Sequence, residues 1–161
     1  MGLGLHNVQN EFPLLGNQKL KVTVDFSLAA WNTAATHRVF LVSGLVRMVM
    51  FYNITASLTS GGAALIAFGS SLSTGEYAAA QAFTGLTTGV HVRPGGSFAS
   101  RSYAWLSWFV NSNGADMISG GINNGYEITV AAMTGGTMDA YCFWTPISDG
   151  STVTAGTGAA F

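Results

Sequence analysis

Apolar and polar residues alternate strictly over residues 19–26 (KLKVTVDF). A two-residue period is typical of a β-strand with one face buried and the other in water. The sequence therefore predicts a half-buried strand at this point, the clearest one in the chain.

A long β-rich run follows over residues 37–55 (HRVFLVSGLVRMVMFYNIT), and Gly44 interrupts it. A glycine inside such a run indicates a bulge or a bend between two strands. We therefore expect two strands that meet near Gly44. A turn over residues 57–62 and a short strand of small residues over 63–68 are expected next.

Helical composition is confined to residues 69–86. Within them, residues 76–83 (EYAAAQAF) are mostly good helix formers, and Thr74 is a suitable N-cap. Two turns of helix and a plain loop are the two interpretations that this segment leaves open.

The second half of the chain again favours strands, over residues 87–93 and 101–111. The dipeptides Asn113-Gly114 and Asn124-Gly125 are typical of tight turns, because both residues tolerate a positive φ. These signals predict further short strands separated by turns.

Residues 126–133 and 137–145 are expected to pair as a hairpin across Thr134-Gly135-Gly136. With the segments above, this makes about eight short strands, with turn signals at intervals of about 8–14 residues. The expected fold is all-β, a single β-sandwich or jelly-roll-like domain over residues 19–161.

The first 18 residues show neither period, and proline and glycine interrupt them, so we expect an extended N-terminal arm over 1–18. Its apolar residues are too many for a solvated tail, which favours an arm that lies on a neighbouring subunit. Phe12, Leu14 and Leu15 are the predicted contacts. A frayed terminus is the alternative.

Composition narrows the possible functions. Of 161 residues, 8% are charged and 48% hydrophobic, and the net charge is −1. This balance excludes the basic surface that nucleic-acid binding requires, and it excludes a disordered chain. The longest uncharged stretch, residues 48–75, is broken by polar residues and glycines, so no membrane partner is expected. A nearly uncharged surface promotes association.

Residues that could bind a metal or act in catalysis are scattered along the chain. His6, His37 and His91 lack metal-ligand spacing, and His37 and His91 are expected at solvent-facing or interface positions. Cys142 is expected to be a small buried hydrophobe, and the N-terminus lacks the pattern of a signal peptide. The few acids fall on polar strand faces or in turns, although two of them converging as a glycosidase pair is an alternative. We therefore expect no enzyme, no metal and no cofactor.

Two predicted strands, residues 103–110 and 138–144, are largely apolar on both faces. In a sandwich only one face of a strand meets the core, so the second face is expected to bury against another chain. Shielding by residues 1–18 or 69–86 and a sugar-stacking platform are the alternatives. The predicted interface anchors are Tyr103, Trp105, Phe109 and Tyr141.

Two segments carry a family resemblance. Residues 39–46 (VFLVSGLV), with the glycine-rich turn and small-residue strand that follow, are similar to small accessory proteins of tailed bacteriophages. Residues 143–150 (FWTPISDG) share that similarity. The resemblance spans residues 37–70 and 125–154, and it implies a virion protein that decorates or cements the capsid, often as a trimer.

The sequence thus leads us to expect a non-enzymatic virion structural protein, made in the host cytoplasm and located on the capsid surface. Its expected partners are its own copies and the major capsid protein or another virion protein. The alternative is a phage tail module, or a receptor-binding or carbohydrate-binding β-sandwich.

Overall fold

A computed structural model describes residues 18–75, 77–92, 99–100 and 116–158. The predicted strand over residues 101–111 lies outside this part of the chain. So do most of the expected interface residues, namely Phe12, Leu14, Leu15, Tyr103, Trp105 and Phe109.

The described chain is mostly β-structure, which confirms the all-β prediction. The strands are β1 (Gln18–Asp25), β2 (Thr36–Ser43), β3 (Leu45–Ser60), β4 (Leu65–Ser70), β5 (Ala78–Ala82), β6 (Val90–Val92), β7 (Ala99–Ser100), β8 (Asp116–Gly120), β9 (Asn124–Thr129), β10 (Met133–Pro146) and β11 (Thr152–Ala155). The helical elements are α1 (Ala29–Asn32) and a 3-10 turn (Phe83–Gly85).

The strands form two antiparallel sheets. Sheet A has the order β1-β10-β3-β6-β7, and β8 also pairs with β3. Sheet B has the order β11-β2-β9-β4-β5. The predicted sandwich is therefore confirmed.

The strand order is that of a jelly roll. Strands pair in a nested pattern: β1 with β10, β2 with β9, β3 with β8, and β4 with β5. The ribbon formed in this way is rolled up, because β10 also pairs with β3, and β9 with β4. Eight strands in two sheets with this order define the jelly roll. The additions are β6 and β7, which join sheet A beside β3, and β11 beside β2.

The core lies between the two sheets and is built from side chains that both sheets direct inward. Tyr52 from sheet A packs against Phe68 from sheet B, with ring centroids 4.8 Å apart. Tyr126 lies 6.2 Å from the same phenylalanine ring. Cys142 is fully buried in this core, as predicted.

The predicted strand over residues 19–26 is β1, and its alternation has the predicted effect, since Val22 and Val24 are buried while Lys21 and Thr23 are exposed. Gly44 separates β2 from β3, also as predicted. It adopts φ +71°, and the chain passes there from sheet B to sheet A. Strand β3 continues to Ser60, so the turn expected at 57–62 begins later than predicted.

Residues 76–83 were expected to be helix or loop, and this expectation is wrong. Residues 78–82 form β5, the edge strand of sheet B, with Leu65 opposite Ala82 and Phe68 opposite Ala78. A two-turn helix is marginal in water by itself. Pairing with β4 therefore decides the conformation of this alanine-rich segment.

The predicted turn at Asn124-Gly125 and the hairpin over residues 126–145 are also wrong. Asn124 and Gly125 begin β9, which belongs to sheet B, whereas β10 belongs to sheet A. The chain crosses between the sheets near Val130, which has φ +73°. Gly135 and Gly136 lie inside β10, where its register with β3 shifts.

Candidate functional site

The outer surface of sheet A, which faces away from the core, carries aligned aromatic and basic side chains. The strand register places Lys21, Tyr141 and Phe51 side by side on β1, β10 and β3. The next row consists of Lys19, Phe143 and Val49. We call Phe51, Tyr141 and Phe143, with Lys19 and Lys21, the outer aromatic face.

The rings of this face stack on one another. Phe51 and Tyr141 have centroids 4.9 Å apart and planes 19° apart. On the other side of Tyr141, the ammonium groups of Lys19 and Lys21 lie 5.5 Å and 5.7 Å from its centroid. Phenylalanine and cations thus occupy the two faces of the tyrosine ring, so it offers no open face for a sugar to stack on.

Asp139 joins this face through charged and polar contacts. Its carboxylate lies 2.8 Å from the Lys21 ammonium and accepts a hydrogen bond of 2.7 Å from the Thr23 hydroxyl. The Tyr141 hydroxyl donates a longer bond of 3.5 Å to the same carboxylate. These contacts fix the lysine above the ring of Tyr141.

The pKa values of this ion pair move apart. Burial acts to raise the pKa of Asp139, but the hydrogen bonds from Lys21 and Thr23 outweigh it and hold the pKa below its ordinary value. The hydrogen bond to Asp139 raises the pKa of Lys21, against the opposing effect of burial. Both groups are therefore held in their charged forms over a wide pH range.

Of the predicted interface residues, Tyr141 is the one within the described chain, and it lies on the outer aromatic face. The apolarity of residues 138–144 on both faces is also present. Met138, Ala140 and Cys142 point into the core, while Tyr141 and Phe143 are half-buried on the outer face.

Phe51 and the lysines are members of this face that the sequence analysis did not assign to it. Phe51 faces outward on β3, and its neighbour Tyr141 lies 90 positions later in the numbering. The missing information was the register of β10 with its two neighbours. Alternation along β1 would have placed Lys19 and Lys21 on one face, but not beside Tyr141.

The outer surface of sheet B is built differently around Gly69, where backbone closes over it. A Cβ atom on Gly69 would lie 2.1 Å from the carbonyl oxygen of Ser73 and 2.5 Å from the carbonyl carbon of Thr74. The Ser70 amide donates a hydrogen bond of 2.9 Å to Ser73. Residues 71–75 therefore lie against sheet B. The sequence analysis considered the 69–86 segment as a shield for residues 138–144, which belong to sheet A. In this part, the segment covers the other sheet.

His37 is buried, with 1% of its surface exposed, so the expectation of a solvent-facing or interface position is wrong. Its Nδ1 lies 2.9 Å from the Gly158 carbonyl oxygen and 3.1 Å from that of Ala30. Its Nε2 lies 2.9 Å from the Thr33 carbonyl oxygen, and its ring stacks on Tyr126. The ring thus fastens α1 and residue 158 to β2, which is a structural role.

Burial makes the Cys142 thiol unreactive. It raises the pKa of the Cys142 thiol to about 12, so the reactive thiolate is scarce at neutral pH. Within residues 18–158, so far as the structure describes them, no group of three or more His, Cys, Asp or Glu side chains is placed to hold a metal ion.

In the described part of the chain, no helix has the length and apolarity needed to cross a membrane. No protein-family model, curated protein or solved structure matches this chain.

Proposed function

We propose that this protein is a non-enzymatic structural subunit that assembles with its own copies on the surface of a tailed-phage capsid. The observation that supports this proposal is the outer aromatic face. Two central strands of sheet A, β3 and β10, place large apolar side chains on the outside of the sandwich as well as in its core. Half-buried aromatic residues of this kind are enriched in protein–protein interfaces.

The fold is compatible with this role. Jelly rolls form viral capsid and lectin domains, among others. Fold by itself does not determine function, so this support is an analogy. It adds to the resemblance of residues 39–46 and 143–150 to accessory proteins of tailed phages.

The action proposed is adhesion. Tyr141 lies near the centre of the outer aromatic face, with its hydroxyl directed at Asp139, and the lysines form the polar rim. A tyrosine surrounded by a polar rim is a common arrangement for a residue that dominates binding energy. Many weak contacts on a shell act together through avidity.

The same face does not favour carbohydrate binding through Tyr141, since Phe51 and the lysines occupy both sides of the ring. Sugar recognition by stacking requires an open ring face. Tyr141 is only half-buried among these neighbours, so part of its side chain remains for contact with another subunit.

The test measures assembly and particle binding with the full chain. Light scattering after size exclusion should give an oligomer, and the chain should co-sediment with virus particles in a fixed copy number. Tyr141→Glu should weaken both by about tenfold or more. The matched control is Thr154→Glu on β11, an exposed position of sheet B, which should change neither. A wild-type chain that is monomeric and does not sediment with particles contradicts the proposal.

A further inference from the structure

Strand β1 lies at the edge of sheet A. It pairs with β10 along its whole length, from Gln18 opposite Trp144 to Asp25 opposite Thr137. Among the strands that the structure describes, none pairs with its other side. A sheet edge of this kind is a template for another strand.

The backbone direction of each β1 residue follows from one hydrogen bond. The Phe26 amide donates to the Gly136 carbonyl oxygen at 3.0 Å, which continues the β1–β10 register. Residues of an antiparallel strand alternate between facing one neighbour and facing the other. Val22 and Val24 therefore direct their N–H and C=O groups toward β10, and Lys21 and Thr23 direct theirs toward the open edge.

A second copy of β1 can satisfy these outward groups in a limited set of registers. Two antiparallel copies form hydrogen-bonded pairs only between outward-directed residues, which are the odd-numbered ones. A two-fold axis at Lys21 would place that lysine opposite its own copy, and like charges directly opposite are destabilising. An axis at Val22 places Lys21 opposite Thr23, and Lys19 opposite Asp25.

The register about Val22 is favoured by charge. Lys21 is already paired with Asp139 at 2.8 Å, whereas Lys19 makes cation–π contacts and forms no ion pair within the described residues. An axis at Thr23 would direct Asp25 to the lysine that is already paired. The axis at Val22 directs it to Lys19 instead.

We propose that two copies of this chain join along β1, antiparallel about Val22, so that sheet A continues from one subunit into the next. This inference rests on the proposed self-assembly and adds to the outer aromatic face a second contact, at the β1 edge beside it. Half-buried Leu20 would be covered by Val24 of the second copy, and Lys19 would pair with its Asp25. The outer aromatic faces of the two subunits would become one continuous surface.

The contact is two-fold and therefore differs from what the family resemblance implies. An isologous contact generates dimers and assemblies built from dimers, and a closed trimer cannot be made from it. Lysines on an edge strand also serve elsewhere to prevent pairing. A trimeric or a monomeric mass in solution would accordingly overturn the proposal.

The decisive comparison is between Thr23→Pro and Thr23→Val in the full chain. Both remove the hydroxyl that bonds to Asp139, but only proline removes the outward N–H. Proline is tolerated on edge strands when its nitrogen faces outward, so the β1–β10 pairing is retained. By sedimentation velocity at about 1–100 µM, Thr23→Val should dimerise like wild type, and Thr23→Pro at least about tenfold more weakly.

A second pair of variants keeps the test valid if the proline variant does not fold. Lys19→Asp places like charges opposite Asp25 of the second copy and should weaken dimerisation, and adding Asp25→Lys should restore it. Restoration by the double variant is specific to the register about Val22. Equal dimerisation of wild type and Lys19→Asp would overturn that register.

The outcomes separate this inference from the proposed function. If wild type assembles and both Thr23 variants assemble equally, the β1 contact is wrong and self-assembly stands. If wild type is monomeric but co-sediments with particles, the contact is again wrong and the structural role stands. If it neither assembles nor sediments with particles, both proposals fail.

Discussion

The outer surfaces of the two sheets are constructed in opposite ways. On sheet B, the chain's own backbone approaches so closely at Gly69 that a single methyl group would not fit. On sheet A, long side chains project outward, and Tyr141 is held between Phe51 and the lysines of β1.

This contrast indicates where substitutions should be tolerated. Close backbone approach leaves no room for adjustment, so changes at Gly69 should reduce the stability of the fold. Side-chain contacts at the surface of sheet A can rearrange in water. Changes there should affect the association that we propose for this face more than they affect folding.

Gly69→Ala is expected to cause the largest loss of stability. The added Cβ would meet the backbone of Ser73 and Thr74, and backbone cannot move aside as a side chain can. We expect the free energy of unfolding to fall by about 3 kcal/mol. Urea unfolding followed by tryptophan fluorescence measures it.

Gly85→Ala is the matched control, since a Cβ at that position has no atom within 4 Å. Its free energy of unfolding should change by less than about 0.5 kcal/mol. If the two alanine variants are equally stable, residues 71–75 do not close over sheet B as described.

A smaller loss is expected from His37→Phe. Phenylalanine keeps the stacking on Tyr126 but offers no donor to the carbonyl oxygens of Ala30, Thr33 and Gly158. Leaving buried acceptors without a donor costs about 2 kcal/mol. His37→Gln keeps a donor and should lose less, as measured by the same unfolding titration. A phenylalanine variant as stable as wild type would show that the ring acts by packing alone.

Asp139→Asn on sheet A is expected to cause the smallest change in stability, and the size of that change should depend on pH. The folded-state pKa of Asp139 lies below the ordinary value of 3.8. Its ionised form therefore adds stability above that value, and the stability is lost as the pH falls through the folded-state pKa. Measured between about pH 2 and pH 7, the variant should show a flatter decrease of stability in acid than wild type.

Lys21→Gln removes the same contact from the other side and should flatten the acid decrease similarly. At alkaline pH, the stability that Lys21 contributes is lost as the pH rises, and not as it falls. The folded-state pKa of Lys21 is raised, so its contribution is present below 10.5 and is lost as the pH rises through the folded-state pKa. An acid decrease unchanged in both variants would show that the ion pair makes no contribution.

Local patterns in the sequence predicted the strands well where one face is buried and the other wet. The alternation of β1 is of this kind, and so is the break at Gly44. Burial of Cys142 followed from its apolar neighbours. In each case, the deciding interaction lies within a few residues of the position concerned.

The errors concern strands whose partners are far away in the sequence. Residues 78–82 have helical composition, but pairing with β4 makes them a strand. Asn124-Gly125 has the composition of a turn, but Asn124 is a buried residue between β2 and β4. Composition does not specify which sheet a strand joins, which is also why residues 126–145 were mistaken for a hairpin.

The candidate site could be predicted only in part for the same reason. Tyr141 was assigned to an interface because residues 138–144 are apolar on both faces. Its contacts with Phe51 and Lys21 depend on two registers that no local signal specifies. His37 was misplaced because its burial depends on carbonyl groups from two distant segments, residues 30–33 and Gly158.

The nested strand pairing affects how the chain is made and folded. Strand β1 leaves the ribosome long before β10, the strand to which it bonds, since Thr23 and Asp139 are 116 positions apart. Neighbouring β4 and β5 can pair early, whereas closing the outermost pair costs the most loop entropy and is expected to come last. Until then β1 remains a free strand. Nascent chains on one messenger can exchange it with one another, so expression at low density should favour chains in which β1 pairs with their own β10.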